Sequence, residues 1–375
     1  MIYLDSAATT LEKPPSVAQA VAYAINHYAS PGRGGYSAGM KAGELVYRCR
    51  ERAATLFDVP DPEQVVLTSN ATHGLNIAIR TLVKPGMVVL ISGYEHNAVT
   101  RVLRAIPRIE IRVAAAELFD SDAVYHAFEE MLTEDVDVVI CNHVSNVFGF
   151  IQPIERIAAL CQEKGKPLIV DASQSAGMLP VSLAKWGAAF IAMPGHKGLY
   201  GPQGTGLLLC GAEAEPLLYG GTGSASLMQE MPDFLPDRLE AGTHNVCGAA
   251  GLLAGMDFVK KTGIDRIGAH ERLLCRRFIN RLQRNPKIHI YSGGAQSGVV
   301  SFVVDGVDCE EVGERLGRKG IAVRTGLHCA PLAHRTAGTL EIGTIRASFS
   351  MFNSLKQAEY AARVINELAA GGRAL

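Results

Sequence analysis

Two apolar runs near the middle of the chain end in groups that can do chemistry together. Leu168-Ile169-Val170 leads into Asp171, and Phe190-Ile191-Ala192-Met193 leads through Pro194-Gly195-His196 into Lys197. Each run is short, continuous and bounded by turn formers, the pattern of a strand buried on both faces of a parallel sheet. In an open α/β sheet, ligands sit beyond the carboxyl ends of the strands. An acid and a primary amine then face one crevice. Pyridoxal phosphate needs that pair: the amine forms a Schiff base with its aldehyde, and the carboxylate keeps its pyridine nitrogen protonated. A single acid or lysine after a strand is more often a cap or a solvated end, so the pair needs support from elsewhere in the chain.

The surrounding pattern supplies elements to position it. Apolar runs at 65–67, 88–91, 136–140, 168–170, 190–193 and 206–209 alternate with helical segments. This predicts a mostly parallel sheet with helices on both faces. Helices are also expected over 16–28 and 42–56, separated by a turn-rich segment at 30–36, and over 247–261 and 266–283. After Asn285 strands such as 298–304 mix with helices. The expected organisation is a short entry (1–15), a large domain (16–256) and a smaller α+β domain (257–375).

With 375 residues, 48% of them hydrophobic, the chain can bury a large core without staples. A formal charge of −1 gives no electrostatic case for nucleic acid or an anionic membrane. The opening residues lack a signal-peptide pattern, and no apolar run approaches the roughly 20 residues of a membrane span. The 8 cysteines are scattered without a CxxC pair, which suits a reducing, cytoplasmic setting. Most of them read as small core residues.

Further motifs carry chemistry of their own. Ser69-Asn70-Ala71-Thr72-His73-Gly74 follows an apolar run and opens a helical pattern, and a helix N-terminus with free N–H groups suits a phosphate. His96 follows the run at 88–91; a histidine can stack on a ring and move protons near neutral pH. Arg346 stands amid apolar residues, and a guanidinium holds a carboxylate with two parallel hydrogen bonds. Cys329 lies in a polar loop with His328 and His334 close in sequence, and neighbouring cations favour a thiolate. A metal site built from His328, Cys329 and His334 is a competing reading, but the spacing does not match paired ligand patterns.

These segments occur in one order, from Tyr3-Leu4-Asp5-Ser6-Ala7-Ala8-Thr9-Thr10 to Arg324-Thr325-Gly326-Leu327-His328-Cys329-Ala330, Arg346 and Asn353. Together they resemble the cysteine desulfurases of the class V aminotransferase family, large pyridoxal-phosphate enzymes of fold type I. The resemblance implies an α/β fold: a large domain with a mostly parallel seven-stranded sheet, and a smaller α+β domain carrying the Cys329 loop. It implies that Lys197 bonds the cofactor and Asp171 holds its pyridine nitrogen. Gln174 would meet its phenolic oxygen, and His96 would stack on its ring and move protons. Ala71, Thr72 and His196 would grip its phosphate. Asn146 would lie near the cofactor oxygen and the substrate carboxylate, and Arg346 would clamp that carboxylate. Thr243, in Leu239-Glu240-Ala241-Gly242-Thr243-His244-Asn245, would reach the neighbouring subunit's phosphate in a homodimer.

The implied reaction converts L-cysteine to L-alanine, with sulfur held as a persulfide on Cys329 for an acceptor protein. Iron–sulfur cluster assembly is one destination for such sulfur. L-Selenocysteine is an alternative substrate. An aminotransferase and a non-catalytic α/β binding protein are further alternatives, the first giving Cys329 no task and the second giving none to the whole set. The chain departs from the family pattern at three places. Pro194 replaces a phosphate-binding Ser or Thr and offers neither hydroxyl nor N–H. Leu327 and Asn97 each stand where relatives have a histidine.

Overall fold

The computed structural model describes residues 1–31 and 35–371. Residues 32–34 of the turn-rich segment and 372–375 of the expected small domain lie outside it. A short strand, β1 (Ile2–Tyr3), comes first. The central sheet then takes β2 (Val65–Thr68), β3 (Val88–Ser92), β4 (Glu110–Ala114), β5 (Val138–Asn142), β6 (Leu168–Asp171), β7 (Phe190–Pro194) and β8 (Gly206–Cys210). Their order is β2-β8-β7-β6-β5-β3-β4. The β3–β4, β3–β5, β5–β6 and β6–β7 pairings are parallel, and β8 runs antiparallel to both of its neighbours.

Alternate side chains of these strands enter opposite layers. Val89, Ile91, Ile140, Ile169 and Leu208 pack with the helices Ala71–Leu82 and Asn97–Arg104. Leu90, Val139, Val170, Ile191 and Leu207 pack against the opposite layer, with Val46, Phe128, Ile157 and Ala250 from four other helices. Both faces are covered, which is why the strands read as unbroken apolar runs. Burying one such aliphatic side chain contributes roughly 1.5–3 kcal/mol.

A second core lies where β9 (Ile288–Tyr291), β10 (Val299–Val304), β11 (Ile321–Ala322), β12 (Arg324–Gly326) and β13 (Thr344–Ser348) meet the helices Ile264–Leu282 and Leu355–Ala369. The antiparallel sheet has the order β12-β13-β10-β9. The opening residues join this core. β1 pairs in parallel with β11, and Leu4 is fully buried there. The helix Val246–Thr262 runs unbroken through the expected boundary at 256/257 and ends at Gly263.

Four local expectations need correction. The sheet has a strand at Glu110–Ala114 that no apolar run announces. It is an edge strand, and Arg112 pairs with Asp135 at 2.6 Å on its exposed side, so charge interrupts its hydrophobicity. β5 ends at Asn142 rather than Ile140, because Asn142 stays in register with Asp171. The helix expected from 42 begins at Ser37. Gly39 is itself buried in its first turn, and Ala42, Leu45, Val46, Cys49, Ala53 and Phe57 bury one continuous face. The later helices are Val246–Thr262 and Ile264–Leu282, not 247–261 and 266–283, because Gly263, at φ +91°, divides one helical stretch.

Candidate active site

The parallel strands β5, β6 and β7 place Asn142, Asp171 and Ala192 side by side, so their carboxyl ends open on one edge. A cavity at that edge brings together Ala71, Thr72, His96, Asn146, Asp171, Gln174, His196 and Lys197. Asp171 is buried and accepts the Ser173 N–H at 2.9 Å. Gln174 Nε2 donates to the Ala7 carbonyl at 2.9 Å, leaving its second hydrogen for another acceptor. The loops after Asp171 and Lys197 touch backbone to backbone. A Cβ on Gly177, whose φ is +84°, would stand 2.1 Å from the Gly198 carbonyl, and one on Gly198 would stand 2.3 Å from that of Ala176. Only glycine fits either position.

Lys197 is partly buried. Desolvation lowers its pKa to about 8, with Asp171 pulling the other way and Arg346 adding to the decrease. A larger share of neutral amine is therefore present near pH 7 than for a solvated lysine. The opening segment braces this residue. Thr10 N, Thr10 Oγ1 and Lys13 Nζ converge on the His196 carbonyl at 3.2, 3.0 and 3.3 Å.

At the other end, Asn70 caps the helix Ala71–Leu82 by accepting the His73 N–H at 2.8 Å, and Gly74 N reaches the Asn70 carbonyl at 3.3 Å. The first two helical N–H groups, of Ala71 and Thr72, have no partner within the helix. Gly206 lets β8 approach: a Cβ there would lie 2.7 Å from the Asn70 carbonyl carbon. His196 Nδ1 sits 3.0 Å from Thr9 Oγ1. Burial, then Lys197 and Lys13, lowers the His196 pKa to about 4, so the imidazole is neutral at pH 7. It donates toward an anion through Nε2 only when Thr9 donates to Nδ1.

His96 has a local task that its sequence position did not reveal. Its Nδ1 accepts the Ala98 N–H at 3.0 Å and caps the helix Asn97–Arg104. Burial lowers its pKa, opposed by Asp171 and reinforced by Lys197. The neutral ring therefore carries its hydrogen on Nε2.

The remaining residues form a lip beside this floor. Arg346 is 2% exposed; its Nη1 donates to the Asn146 carbonyl at 2.9 Å and its Nη2 to Asp5 at 2.8 Å. Asp5 also holds Arg324 Nη2 at 2.9 Å. Asn146 Nδ2 donates to the His328 carbonyl at 2.8 Å, and Asn97 N donates to that of Cys329 at 2.8 Å. Cys329 is the exposed member of the eight cysteines; six others are buried and Cys247 is partly so.

The expectation that His328 and His334 supply positive charge to Cys329 fails. Both are buried, and desolvation lowers their pKa values to about 2 and about 4, so both are neutral. The cation on the strand leading to Cys329 is Arg324, held by Asp5. Thr243 is exposed on a separate cavity with Thr68, His73 and Glu240, outside the one that contains Lys197. Among the described residues no three His, Cys, Asp or Glu side chains converge as a metal site. Asp5, Asn142 and Glu95 were not singled out by sequence reasoning. Asp5 lies in the Tyr3-to-Thr10 motif and Glu95 beside His96, the only signals that pointed toward them.

The groups present fit pyridoxal phosphate and an α-amino acid. An amine and an acid share the floor, and the first two residues of the helix Ala71–Leu82 line the same cavity. Two buried polar atoms without partners, Asn146 Oδ1 and Arg346 Nε, belong to neighbouring residues. A buried guanidinium N–H left unpaired is costly unless an incoming carboxylate takes it.

Comparison with known proteins agrees. Residues 2–360 match the family model for aminotransferase class-V. A probable cysteine desulfurase of Methanothermobacter thermautotrophicus is 32% identical over 99% of this chain and 95% of its own length. One from Pyrococcus abyssi is 32% identical over 98% and 94%. Among solved structures, the apo cysteine desulfurase from Thermococcus onnurineus NA1 superposes with a TM-score of 0.92 at 30% identity, covering 99% of this chain and 95% of that one. The cysteine desulfurase CsdA (S-sulfonic acid) from Escherichia coli gives 0.86 at 26%, covering 98% and 94%. Fold, site and sequence thus agree that this chain belongs to the class-V aminotransferases, the pyridoxal-phosphate-dependent family.

Proposed function

We propose that the chain is a cysteine desulfurase acting on L-cysteine. The observation that carries this reading is an exposed thiol, Cys329, whose neighbour His328 is tied by its carbonyl through Asn146 to the buried Arg346 at the lip of the Lys197 cavity. Lys197 and Asp171 would hold pyridoxal phosphate by its aldehyde and ring nitrogen. Ala71, Thr72 and His196 would meet its phosphate, Gln174 its phenolic oxygen, and His96 its ring. When bound, the cofactor supplies an electron sink for carbanion chemistry at the substrate Cα.

The chain's own residues do the rest. Arg346 has Nε free for the substrate carboxylate while Asp5 and the Asn146 carbonyl fix the guanidinium plane. The Lys197 amine is placed to carry a proton from Cα, and its lowered pKa suits that exchange near neutrality. The Cys329 thiolate attacks the substrate sulfur. A sulfur–sulfur bond forms, the carbon–sulfur bond breaks, and its electron pair stays with Cβ, which takes a proton. L-Alanine leaves with the hydrogen count of the cysteine that entered. One sulfur atom remains on Cys329. The exposure of that residue suits handover to an acceptor protein, and eight cysteines without a disulfide suit the cytoplasm.

We also propose a homodimer. The segment leading to Thr243 exposes Leu218, Tyr219, Leu227 and Phe234, more apolar surface than a solvated loop needs. Two-fold symmetry would let each Thr243 serve the other copy. The desulfurase reading is tested by adding L-cysteine to the loaded protein and mapping peptides by mass. One added sulfur on the peptide containing Cys329, with L-alanine as product, is the expected result. Pyruvate or a keto acid with no added sulfur excludes it.

A further inference from the structure

Directly beneath the cavity lies a carboxyl group that the reaction above does not use. Glu95 is 0% exposed. Its Oε1 lies 2.6 Å from Ser92 Oγ and accepts the Asn142 N–H at 2.7 Å. Its Oε2 is buried without a partner. Ser92 Oγ also lies 2.9 Å from Asn142 Oδ1. The serine hydroxyl has one hydrogen, and two oxygens stand within reach of it. The orientation of Asn142 is fixed, because its Nδ2 donates to the Tyr94 carbonyl at 2.9 Å. Gln152 Nε2 donates to Ser92 Oγ at 3.1 Å and to Asn142 Oδ1, so it adds no hydrogen between Ser92 and Glu95. If Glu95 were a carboxylate, one of the two close oxygen–oxygen contacts would hold no hydrogen.

We propose that Glu95 is a neutral acid whose hydroxyl donates to Ser92, which donates in turn to Asn142, and that this relay positions the His96 loop against β5 and leaves Asp171 as the single carboxylate charge of the floor. The unpartnered Oε2 fits this state, since an orphan carbonyl oxygen is far cheaper to bury than an orphan charged one. Burial is also the largest influence on the group and raises its pKa to about 8; Asp171 pushes the same way, and the Ser92 and Asn142 contacts oppose it. The titratable groups acting at this spot are Asp171 from β6 and the Cys141 thiol from β5, whose own pKa burial drives far up. Glu95 is therefore a positioning residue. Ionised, it would break the relay and set a second negative charge beside Asp171. The consequence for the cofactor rests on the reading above, whereas the protonation state does not.

The test uses the full chain without cofactor and has two arms. Infrared spectra of wild type and Glu95→Gln at pH 7 and pH 9.5 read the protonation state. The expected difference is a carboxylic-acid carbonyl band present at pH 7 in wild type, weakened at pH 9.5, and absent in the variant. Glu271, a second buried acid whose pKa burial raises to about 8, is separated by Glu271→Gln. Titration with pyridoxine 5′-phosphate, which lacks the aldehyde and so does not report the titration of Lys197, reads positioning. Glu95→Gln, able to donate through its amide, should bind within about threefold of wild type at pH 7 and lose the weakening above pH 8. Glu95→Ala should bind about tenfold or more weaker, the scale of one lost buried hydrogen-bonding group. A wild-type spectrum with no acid band assignable to Glu95, or a Glu95→Gln protein as impaired as Glu95→Ala, overturns the proposal. A missing band in Glu95→Gln with no binding by any form would instead refute the cofactor reading alone. Should Glu95→Ala fail to fold, the infrared arm and the glutamine variant still decide.

Discussion

Lys197 and Cys329 are the two nucleophiles of the proposed reaction, and the chain builds them in opposite ways. Lys197 stands just past the end of β7, partly buried, with glycine contacts beneath it and the opening segment bonded to the preceding carbonyl. Cys329 is exposed, in a stretch where His328 and Cys329 both take left-handed backbone angles, φ +49° and +56°. Non-glycine residues in that region cost roughly 1–3 kcal/mol each, and surrounding structure must hold them there. The holders are few: Asn146 on the His328 carbonyl, Asn97 on the Cys329 carbonyl, and His328 Nε2 near Thr344 Oγ1 at 3.1 Å. A group that keeps a cofactor in place gains from rigidity. A group that takes sulfur inside and gives it up outside needs a loop.

This contrast orders the effects of breaking each side. Lys197→Ala should cost roughly 10³-fold or more in turnover and abolish the borohydride-stable cofactor adduct. Intact mass checks it, and Lys13 is the informative competitor, since burial lowers its pKa to about 8 as well. An adduct surviving on Lys13 would show that the floor is misassigned. Cys329→Ser should lower sulfur release from L-cysteine on the order of 10²-fold or more, while the absorbance change on adding L-cysteine persists. Loss of that absorbance change would mean that the lip also builds the floor.

The floor has a pH signature. Because the Lys197 pKa is lowered to about 8, its amine is protonated below that value and free above it. The rate at which the apo chain bonds pyridoxal phosphate should rise with pH and level off above about 8. A profile still climbing steeply at pH 10 would indicate a solvated lysine. Asp5→Asn removes the anion shared by Arg346 and Arg324, and should raise KM for L-cysteine about tenfold, equal to about 1.4 kcal/mol, with kcat nearly unchanged. A fall in kcat alone would place Asp5 on the thiol side. Leu327→Ala, at a half-exposed side chain, should shift unfolding free energy by no more than about 0.5 kcal/mol in a denaturant titration, and leave the Cys329 alkylation rate within about twofold.

The floor was legible in the sequence because strand-end residues sit next to the apolar runs that define the strands. The rule that parallel strands open at their carboxyl ends put Asp171 and Lys197 on one crevice, and the other motifs in order along the chain gave the pair its meaning. The lip was less legible. Arg324 and Asp5 meet across 319 residues of chain, a contact that no local pattern records. Histidines near Cys329 read as cations because sequence shows neighbours and not burial; His334 proves to be fully enclosed. His96 was recognisable as a site residue, but its tautomer depends on a helix start one residue later. The Ser92–Glu95–Asn142 contacts join two strands and a loop, and only their register reveals them. The edge strand at Glu110–Ala114 was hidden for the opposite reason: exposure lets charge interrupt it.

The opening strand leaves one more mark, on the order in which the molecule can be made. Ala7 N is bonded to Ser348 Oγ, 341 residues further on. At about 5–20 residues per second, a ribosome separates those two residues by tens of seconds. Throughout that interval the central sheet can close while Leu4 and Asp5 wait without β11 or Arg346. The proposed carboxylate clamp is therefore completed after the floor, when Arg346 reaches Asp5, and a nascent chain can own the Asp171 and Lys197 strands before that pair exists.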